Sequence, residues 1–416
     1  MDRAEVVVCG AGPAGVSAAV AAARAGAKVR LLEACGCLGG VWTAGLLSWI
    51  LDSQNKSGLM CQMIDRLDQR GASAKYGGSV GYDVELMKLV LEEMCREAGV
   101  QVQLHTRVAA AAVNDSGRLQ LAVTESKSGR QAWAGDVFID ATGDGDLAAH
   151  AGCGFDYGRE GTGETQPMSV IVLLVGPKPE EVARFVRGLA EPQGESNPKA
   201  RLLEEMRRAG VEPSYSQPTL FYICGGLFCL MANHQYGVDA TDAAQLTAAT
   251  MQGRGEVHRL VEGLRSLGGP WKDVRIVATP EHIGVREGRR IHGLYTASRE
   301  DLVSGAEHED AVCRVTFPVD VHSTDPGKDK GIMRENVRAK PYDIPYRALI
   351  AVDVKGLLMA GRNISGDFIA HSSYRVTGNA VAMGEAAGVA AALASRSGGL
   401  PQEVSWEEIR RLRAES

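Results

Sequence analysis

Gly10-Ala11-Gly12-Pro13-Ala14-Gly15 is the stretch whose residue types and spacing imply chemistry most directly. It follows the apolar run Glu5-Val6-Val7-Val8 and opens a segment of alanine and valine, about Ala14–Ala25. The first glycine of such a turn permits the bend, the second lets the backbone approach a pyrophosphate, and the third lets helix and strand touch. A helix N-terminus adds about half a positive charge and free N–H donors, both favourable to phosphate. Glu33 ends the next apolar run, Lys28–Glu33, where a carboxylate can accept hydrogen bonds from ribose hydroxyls. The turn therefore reads as a binding site for an adenine dinucleotide. Taken alone, it does not separate the flavin form from the nicotinamide form.

The remaining reactive side chains form fewer patterns. Nine cysteines contain no CxxC, and Cys35-x-Cys37 is their closest pair. No metal-ligand spacing appears, so no metal is expected and the thiols read as small buried apolar groups. The formal net charge of -6 offers no basic field for nucleic acid. Val381–Ala394 is apolar but too short to span a bilayer, and reads as a buried helix. No leader pattern precedes the first strand, and a cytoplasmic location is expected.

The elements around the turn read as an α/β fold. Strand, glycine turn, helix and strand over 5–33 make a βαβ unit. Residues 83–98 have helical periodicity, with Leu86, Leu89, Val90 and Met94 on one face. Strands are expected at Val100–His105 and Val108–Ala112, then a hairpin of Leu119–Thr124 with Gln131–Ile139 leading into Asp140-Ala141-Thr142-Gly143. From about 165 the pattern changes. Ser169–Val175 alternates like a strand, and Glu180–Leu189 and Ala200–Arg208 look helical, with a polar loop over Glu191–Lys199 between them. A long helix is expected over 243–266, and an irregular polar loop over 322–341. Regular structure resumes at Tyr346–Val352, followed by a strand at Leu357–Ala360 and a helix from near Val376 to about Ser395.

Three further stretches resemble the dinucleotide-binding set of the glutathione-reductase-like flavoprotein superfamily. They are Leu38-Gly39-Gly40, Ala141-Thr142-Gly143 and Leu357-Leu358-Met359-Ala360-Gly361-Arg362. The resemblance runs nearly end to end and is closest to the family of FAD-dependent oxidoreductases. Other stretches that carry it are Gln166–Ser169, Ile283–Gly293, Ile344–Ile350 and Met383–Gly388. It implies noncovalent FAD in a Rossmann-like three-layer domain formed by 1–165 and 340–398. It also implies an inserted α+β substrate domain over 166–339 and a tail helix over 399–416. Gly10, Gly12, Pro13, Ala14, Gly15, Glu33, Ala34, Gly39, Gly40, Val41, Val108, Ala141, Thr142, Gly143, Gly361, Arg362, Asp367, Gly378 and Asn379 would then contact the cofactor, Val108 through its backbone. The helix that starts near Val376 would turn its N-terminal N–H groups, at Thr377-Gly378-Asn379, toward the flavin pyrimidine and stabilise negative charge there. A tightly packed structural helix would need Gly378 as well.

Val41-Trp42-Thr43-Ala44-Gly45 stands where disulfide reductases of this superfamily carry a redox CxxxxC, so thiol relay is not expected. No second GxGxxG follows a strand and opens a helix after residue 145, so no electron acceptor is assigned. Flavin chemistry needs a group to handle a proton, and histidine titrates nearest neutrality. His371 lies between the flavin strand and the flavin helix and is the expected proton acceptor or donor, with a structural or ribityl contact as the alternative. His234, His292 and His322 read as hydrogen-bonded structural residues. The run from His371 to Ala380 is similar to the His-x-x-x-Arg-x-x-Gly-Asn-Ala stretch of fumarate reductase flavoproteins, whose arginine grips a substrate carboxylate. Carried to Arg375, this implies an anionic or strongly polar substrate, while pairing with Asp367 or Glu385 is the alternative. Arg286, Arg289 and Arg290 either reach the substrate or tie the two domains together. Tyr346-Arg347, Trp42 and Trp49 are candidates for lining the pocket. The expected reaction is hydride transfer between a small alcohol, sugar or hydroxy acid and flavin N5. Ene reduction beside a carboxylate, or a pure electron relay, is the alternative.

Overall fold

Val6–Cys9 is buried at every position, as a strand covered on both faces must be. It lies at the centre of a five-stranded parallel sheet in a computed structural model that describes residues 2–189, 197–333 and 335–415. The strand order is Leu357–Met359, Val137–Asp140, Val6–Cys9, Val29–Leu32, Gln101–Gln103. Cys9 pairs with Asp140, and Asp140 with Met359, so three neighbouring strands end level and send their following turns to one edge. Helices Pro13–Arg24, Val84–Glu97 and Thr377–Ser397 pack beside one another on this sheet. A meander of Thr106–Val113, Leu119–Ser126 and Gly129–Ala134, edged by Asp2–Arg3, forms the third layer.

Contact between the chain ends is made by small residues. Helix Thr377–Ser397 crosses Pro13–Arg24 so closely that a Cβ on Gly384 would lie 2.8 Å from the Ala14 carbonyl carbon. One on Gly388 would lie 2.9 Å from that of Ala18. Glycine there lets backbone rest on backbone. No single helix among the described residues is long and apolar enough to cross a membrane.

The inserted part has its own sheet, Thr219–Cys224, Leu227–Met231, Val172–Val175 and Arg275–Ala278, with antiparallel pairing. Its period-two alternation divides two cores. Val170, Val172, Leu174, Leu220, Phe228 and Leu230 face a separate cluster under helix Ala243–Ser266. Ile171, Leu173, Phe221, Ile223 and Cys229 face the main core. Asp242 caps that helix by accepting from the Ala244 and Gln245 amides.

Several elements depart from the sequence expectation. Leu89 is 43% exposed, because the buried face of Val84–Glu97 runs through Met87, Val90, Leu91 and Met94. The hairpin forms, but Gln131–Ile139 splits. Gly129–Ala134 stays in the meander and Val137–Asp140 joins the parallel sheet, where the Asp136 and Val137 amides bond Glu5. The helix over Glu180–Leu189 shortens to Pro179–Val182 and one 3-10 turn, since Val186 bridges to Leu220. Most of the polar loop over Glu191–Lys199 lies outside the described residues. Residues 322–341 contain a short pairing of Val321–His322 with Ile332–Met333. Regular structure resumes slightly earlier than expected, with a strand at Tyr342–Pro345, and Tyr346–Leu349 is a 3-10 turn.

Candidate functional site

The three level strand ends carry the glycine turns. Gly10 has φ +92°, and a Cβ there would lie 2.6 Å from the Ala141 carbonyl carbon. Gly15 touches Gly10 so closely that its Cβ would lie 2.8 Å from the Gly10 carbonyl carbon. Gly12 caps helix Pro13–Arg24 with φ -65°, and the space where its Cβ would point is open. The Gly39 amide bonds the Ala11 carbonyl at 2.7 Å, which brings Gly39, Gly40 and Val41 onto the same turn. Glu33 closes the other side, accepting from the Ala11 amide at 2.6 Å and the Cys35 amide at 2.8 Å. Ala34 is exposed beside it. The Thr106 amide bonds the Glu33 carbonyl, and Val108 sits at a register shift in its strand.

On the next strand Asp140 is fully buried. It accepts from the Thr142 amide and hydroxyl and from the Ala148 amide, and burial raises its carboxyl to about 6. Gly143 meets Arg362, whose guanidinium pairs with Asp144 at 2.6 Å. Gly361 rests on Ala14. The candidate cofactor residues on both chain ends thus converge at the carboxyl edge of the sheet.

Beyond Arg362 the chain turns through Asn363, whose side-chain amide donates to the Asp140 carbonyl, into helix Phe368–Tyr374. Asp367 caps this helix, accepting from Ala370 at 2.7 Å and Arg299 at 2.6 Å, so both its oxygens serve the protein backbone. His371 is fully buried. Burial, then Arg290, Arg375 and Arg362, hold its imidazole well below the usual range, so it is neutral at pH 7. The Gly378 amide bonds the Leu51 carbonyl, and a Cβ on Gly378 would crowd Leu51 and Asp52. The Asn379 amide bonds Val376. Two of the three N–H groups expected to face the flavin pyrimidine are therefore engaged within the protein, and Gly378 is explained by the neighbouring chain.

The model of the family described as FAD dependent oxidoreductase matches residues 5–415. The chain belongs to that family. A search of curated proteins returns no match. Solved structures of similar shape include Thermovibrio ammonificans THI4, at 17% identity and TM-score 0.31 over 38% of this chain and 66% of that one, just under two thirds of its length. A geranylgeranyl bacteriochlorophyll reductase-like protein from Thermoplasma acidophilum has 13% identity and TM-score 0.45, over 100% and 83% of the two chains. The OxyS anhydrotetracycline hydroxylase from Streptomyces rimosus has 12% identity and TM-score 0.49, over 99% and 66%. None of these likenesses carries a reaction across.

The residues of this FAD-dependent oxidoreductase fit its cofactor. The open space at Gly12 adjoins the positive end of a helix with no acidic residue in its first turn. Asn363 Oδ1, both ring nitrogens of His371, Thr377 Oγ1, Asn379 Oδ1 and the Nε atoms of Arg362 and Arg375 are buried and have no partner among the described residues. Buried polar atoms ordinarily find partners. Their concentration along one stretch, beside the glycine turns, suits a polar ring system and its ribityl chain.

A second group of charges packs against this stretch. Arg375 bonds the Gln166 side chain at 3.2 Å and the Asp320 carbonyl at 2.9 Å, and its guanidinium lies 3.7 Å from the Asp320 carboxylate. The acids expected as its alternative partners are occupied. Asp367 caps a helix, and Glu385 accepts from the Leu59 amide and pairs with Arg413 at 3.4 Å. Arg286 donates to the Pro167 carbonyl and the Ser169 hydroxyl and pairs with no acid among the described residues. Arg289 and Arg290 take the structural part, Arg289 with Asp146 at 2.9 Å and Arg290 with Glu287 at 2.7 Å. Tyr346 is buried and bonds Pro401, and Arg347 pairs with Asp310. Trp42 meets Tyr82 edge-on, and Trp49 stacks on Tyr76.

Sequence reasoning missed Asp320, while His234 and His322 are the buried, hydrogen-bonded residues it expected. Asp320-Val321-His322 and His234-Gln235-Tyr236 each place polar groups two apart, the spacing that puts both on one side of an extended chain. That alternation was the available signal.

Proposed function

We propose that this enzyme transfers a hydride between a small anionic substrate, a hydroxy acid first of all, and flavin N5. When bound, the flavin supplies the acceptor for the electron pair. The chain's own residues would do the rest. His371, neutral and free at both ring nitrogens, would take or return the substrate proton. Arg375 and Arg286 would grip the carboxylate. Charge carries this reading. Arg290 is paired with Glu287 and Arg362 with Asp144, so four arginines meet three acids, with Asp320 the acid beside both Arg286 and Arg375. The excess positive charge favours an anion over a neutral sugar or alcohol. Arg375 would serve equally for a C=C bond next to a carboxylate, which is the second reading.

The cofactor would be held noncovalently, as in glutathione-reductase-like flavoproteins, by the glycine turns at 10–15, 39–41, 141–143 and 361–362 with Glu33 and Val108. In this reading 1–165 and 340–398 form the flavin domain, 166–339 the substrate domain and 399–416 a tail. We also infer a cytoplasmic enzyme acting without nucleic acid or membrane.

The test is an anaerobic screen of hydroxy acids and polyols for bleaching of the oxidised flavin, with enoates added to photoreduced flavin to look for its reoxidation. Hydroxy acids should bleach the oxidised form. His371→Ala should keep its colour yet slow bleaching by about two orders of magnitude or more. Bleaching by polyols alone, or an unslowed His371→Ala, would refute the reading.

A further inference from the structure

Between the Arg375 guanidinium and the protein surface lies an unbroken file of side chains with exchangeable protons. Asp320 Oδ2 is 3.3 Å from His322 Nε2. His322 Nδ1 is 3.0 Å from His234 Nε2, and His234 Nδ1 is 3.1 Å from the Tyr236 hydroxyl. The hydroxyl also lies 3.1 Å from the Ser214 carbonyl. Both histidines are buried, at 2% and 4% exposure, and Tyr215 packs its ring on each. Backbone bonds fix their place, the His322 amide to Gln166 and the His234 amide to the Ser214 hydroxyl. The outer end opens into a cavity of about 480 Å³ lined by Ser214, His234, Tyr236, Gln252, Glu256 and Lys330. The inner end touches helix Phe368–Tyr374, where the Asp320 amide bonds Ser372, one residue beyond His371.

We propose that Asp320, His322, His234 and Tyr236 are a proton relay joining the Arg375 end of the active site to this cavity. The proposal rests on the reading of Arg375 and His371 given above. A substrate hydroxyl or carboxyl gripped by Arg375 is then within reach of Asp320. With Asp320 ionised, His322 Nε2 carries the proton and donates to the carboxylate. To import a proton, that Nε2 proton moves to Asp320 and on to the site, the Nε2 proton of His234 moves to His322 Nδ1, and the Tyr236 hydroxyl proton moves to His234 Nδ1. The Tyr236 oxygen is reprotonated from the cavity. One proton enters, one leaves, and each ring changes tautomer. The reverse order exports one. A relay of this kind needs imidazoles that rest neutral. Burial first, with Arg286 next for each, holds both rings below the ordinary histidine range, and Asp320 adjoins His322 from the other side.

The test uses the FAD-loaded protein without substrate, so failure of the hydroxy-acid reading leaves the measurement intact. The flavin is photoreduced anaerobically with deazaflavin, and proton uptake is followed with a pH-indicator dye beside the flavin absorbance. His234→Ala should slow proton uptake about tenfold or more while leaving the flavin spectrum and electron uptake unchanged. Millimolar imidazole, entering through the cavity, should restore it. Tyr236→Phe, which keeps the ring and loses the exchangeable proton, should slow uptake without rescue. Uptake at the wild-type rate in both variants, or a His234→Ala defect that imidazole does not repair, would overturn the relay.

Discussion

Gly384 and Gly12 should respond in opposite ways to the same added methyl group. A Cβ on Gly384 would lie 2.8 Å from the carbonyl carbon and 2.9 Å from the Cα of Ala14, and nearer still to the Ala14 oxygen. Ordinary contact begins at 3.4 Å, so the helices must part by more than about half an ångström. Both are buried there, Ala14 at 4% exposure and Met383 at none, so no loose side chain can absorb the shift. Overpacking of this kind costs about 1–3 kcal/mol, or a fall of roughly 1–3 °C in the melting midpoint of a chain this large. Gly12 has φ -65°, which alanine adopts freely, and nothing lies within 4 Å of the position its Cβ would take. Gly12→Ala should leave the apoprotein within about 1 kcal/mol of wild type and weaken FAD retention. The assay is thermal unfolding of apoprotein at one scan rate, paired with visible absorbance after gel filtration of the loaded protein. A Gly384→Ala apoprotein that melts like wild type would refute the backbone-contact argument. A Gly12→Ala protein that keeps its full colour would refute the phosphate turn.

Asp140 ties pH to stability. Burial raises its carboxyl from 3.8 to about 6, so between those values the folded protein holds a proton that the unfolded chain has released. Its contribution is fully present below about pH 4 and is lost as pH rises through 6, about 3 kcal/mol in all. The stability of wild type relative to Asp140→Asn should fall across that window in apoprotein melts, and parallel profiles would refute it. Cys35 is partly exposed, but burial and then the Glu33 carboxylate push its thiol up to about 12. Iodoacetamide at pH 8 should modify exposed Cys61 well before Cys35, as read by peptide mass spectrometry.

The nucleotide half of this molecule was legible in its sequence because local rules govern it. A turn that must bend and touch a helix admits glycine at fixed offsets, and Gly10 and Gly15 meet those conditions within six residues, with the space beside Gly12 left open. The long helix over 243–266 was equally plain, since Asp242 caps it and its apolar face is regular. Two errors were geometric. Leu89 fits the helical period by count, but the partner surface selects a face through Met87 and Leu91. Gln131–Ile139 looks like one strand, although Gly135-Asp136 hands the chain from one sheet to another. The hydrogen-bonded cluster of Arg375, Asp320, His322 and His234 was hardest to see. Asp320 lies 55 residues from Arg375, and His234 lies 88 from His322. Nothing local reveals that a fold will bring such distant residues together.

The two arginines explain why these distant pieces have to meet. Among the described residues Arg286 bonds only neutral groups, and burial, then Arg375, pull it down to about 10. It still carries its charge at neutral pH. A buried cation without an acid of its own costs several kcal/mol, and this chain keeps one beside a second, with Asp320 shared between them. A fold selected for stability alone would supply another carboxylate, as it does for Arg290 and Arg362. An arriving anion would repay that cost at the point of binding. It would also bring its reacting carbon under the neutral His371 one helical turn away, where Arg375 bonds the His371 carbonyl through its amide. The substrate would then complete the charge balance of the site, and the same guanidinium that holds it would set the inner end of the path by which its proton leaves.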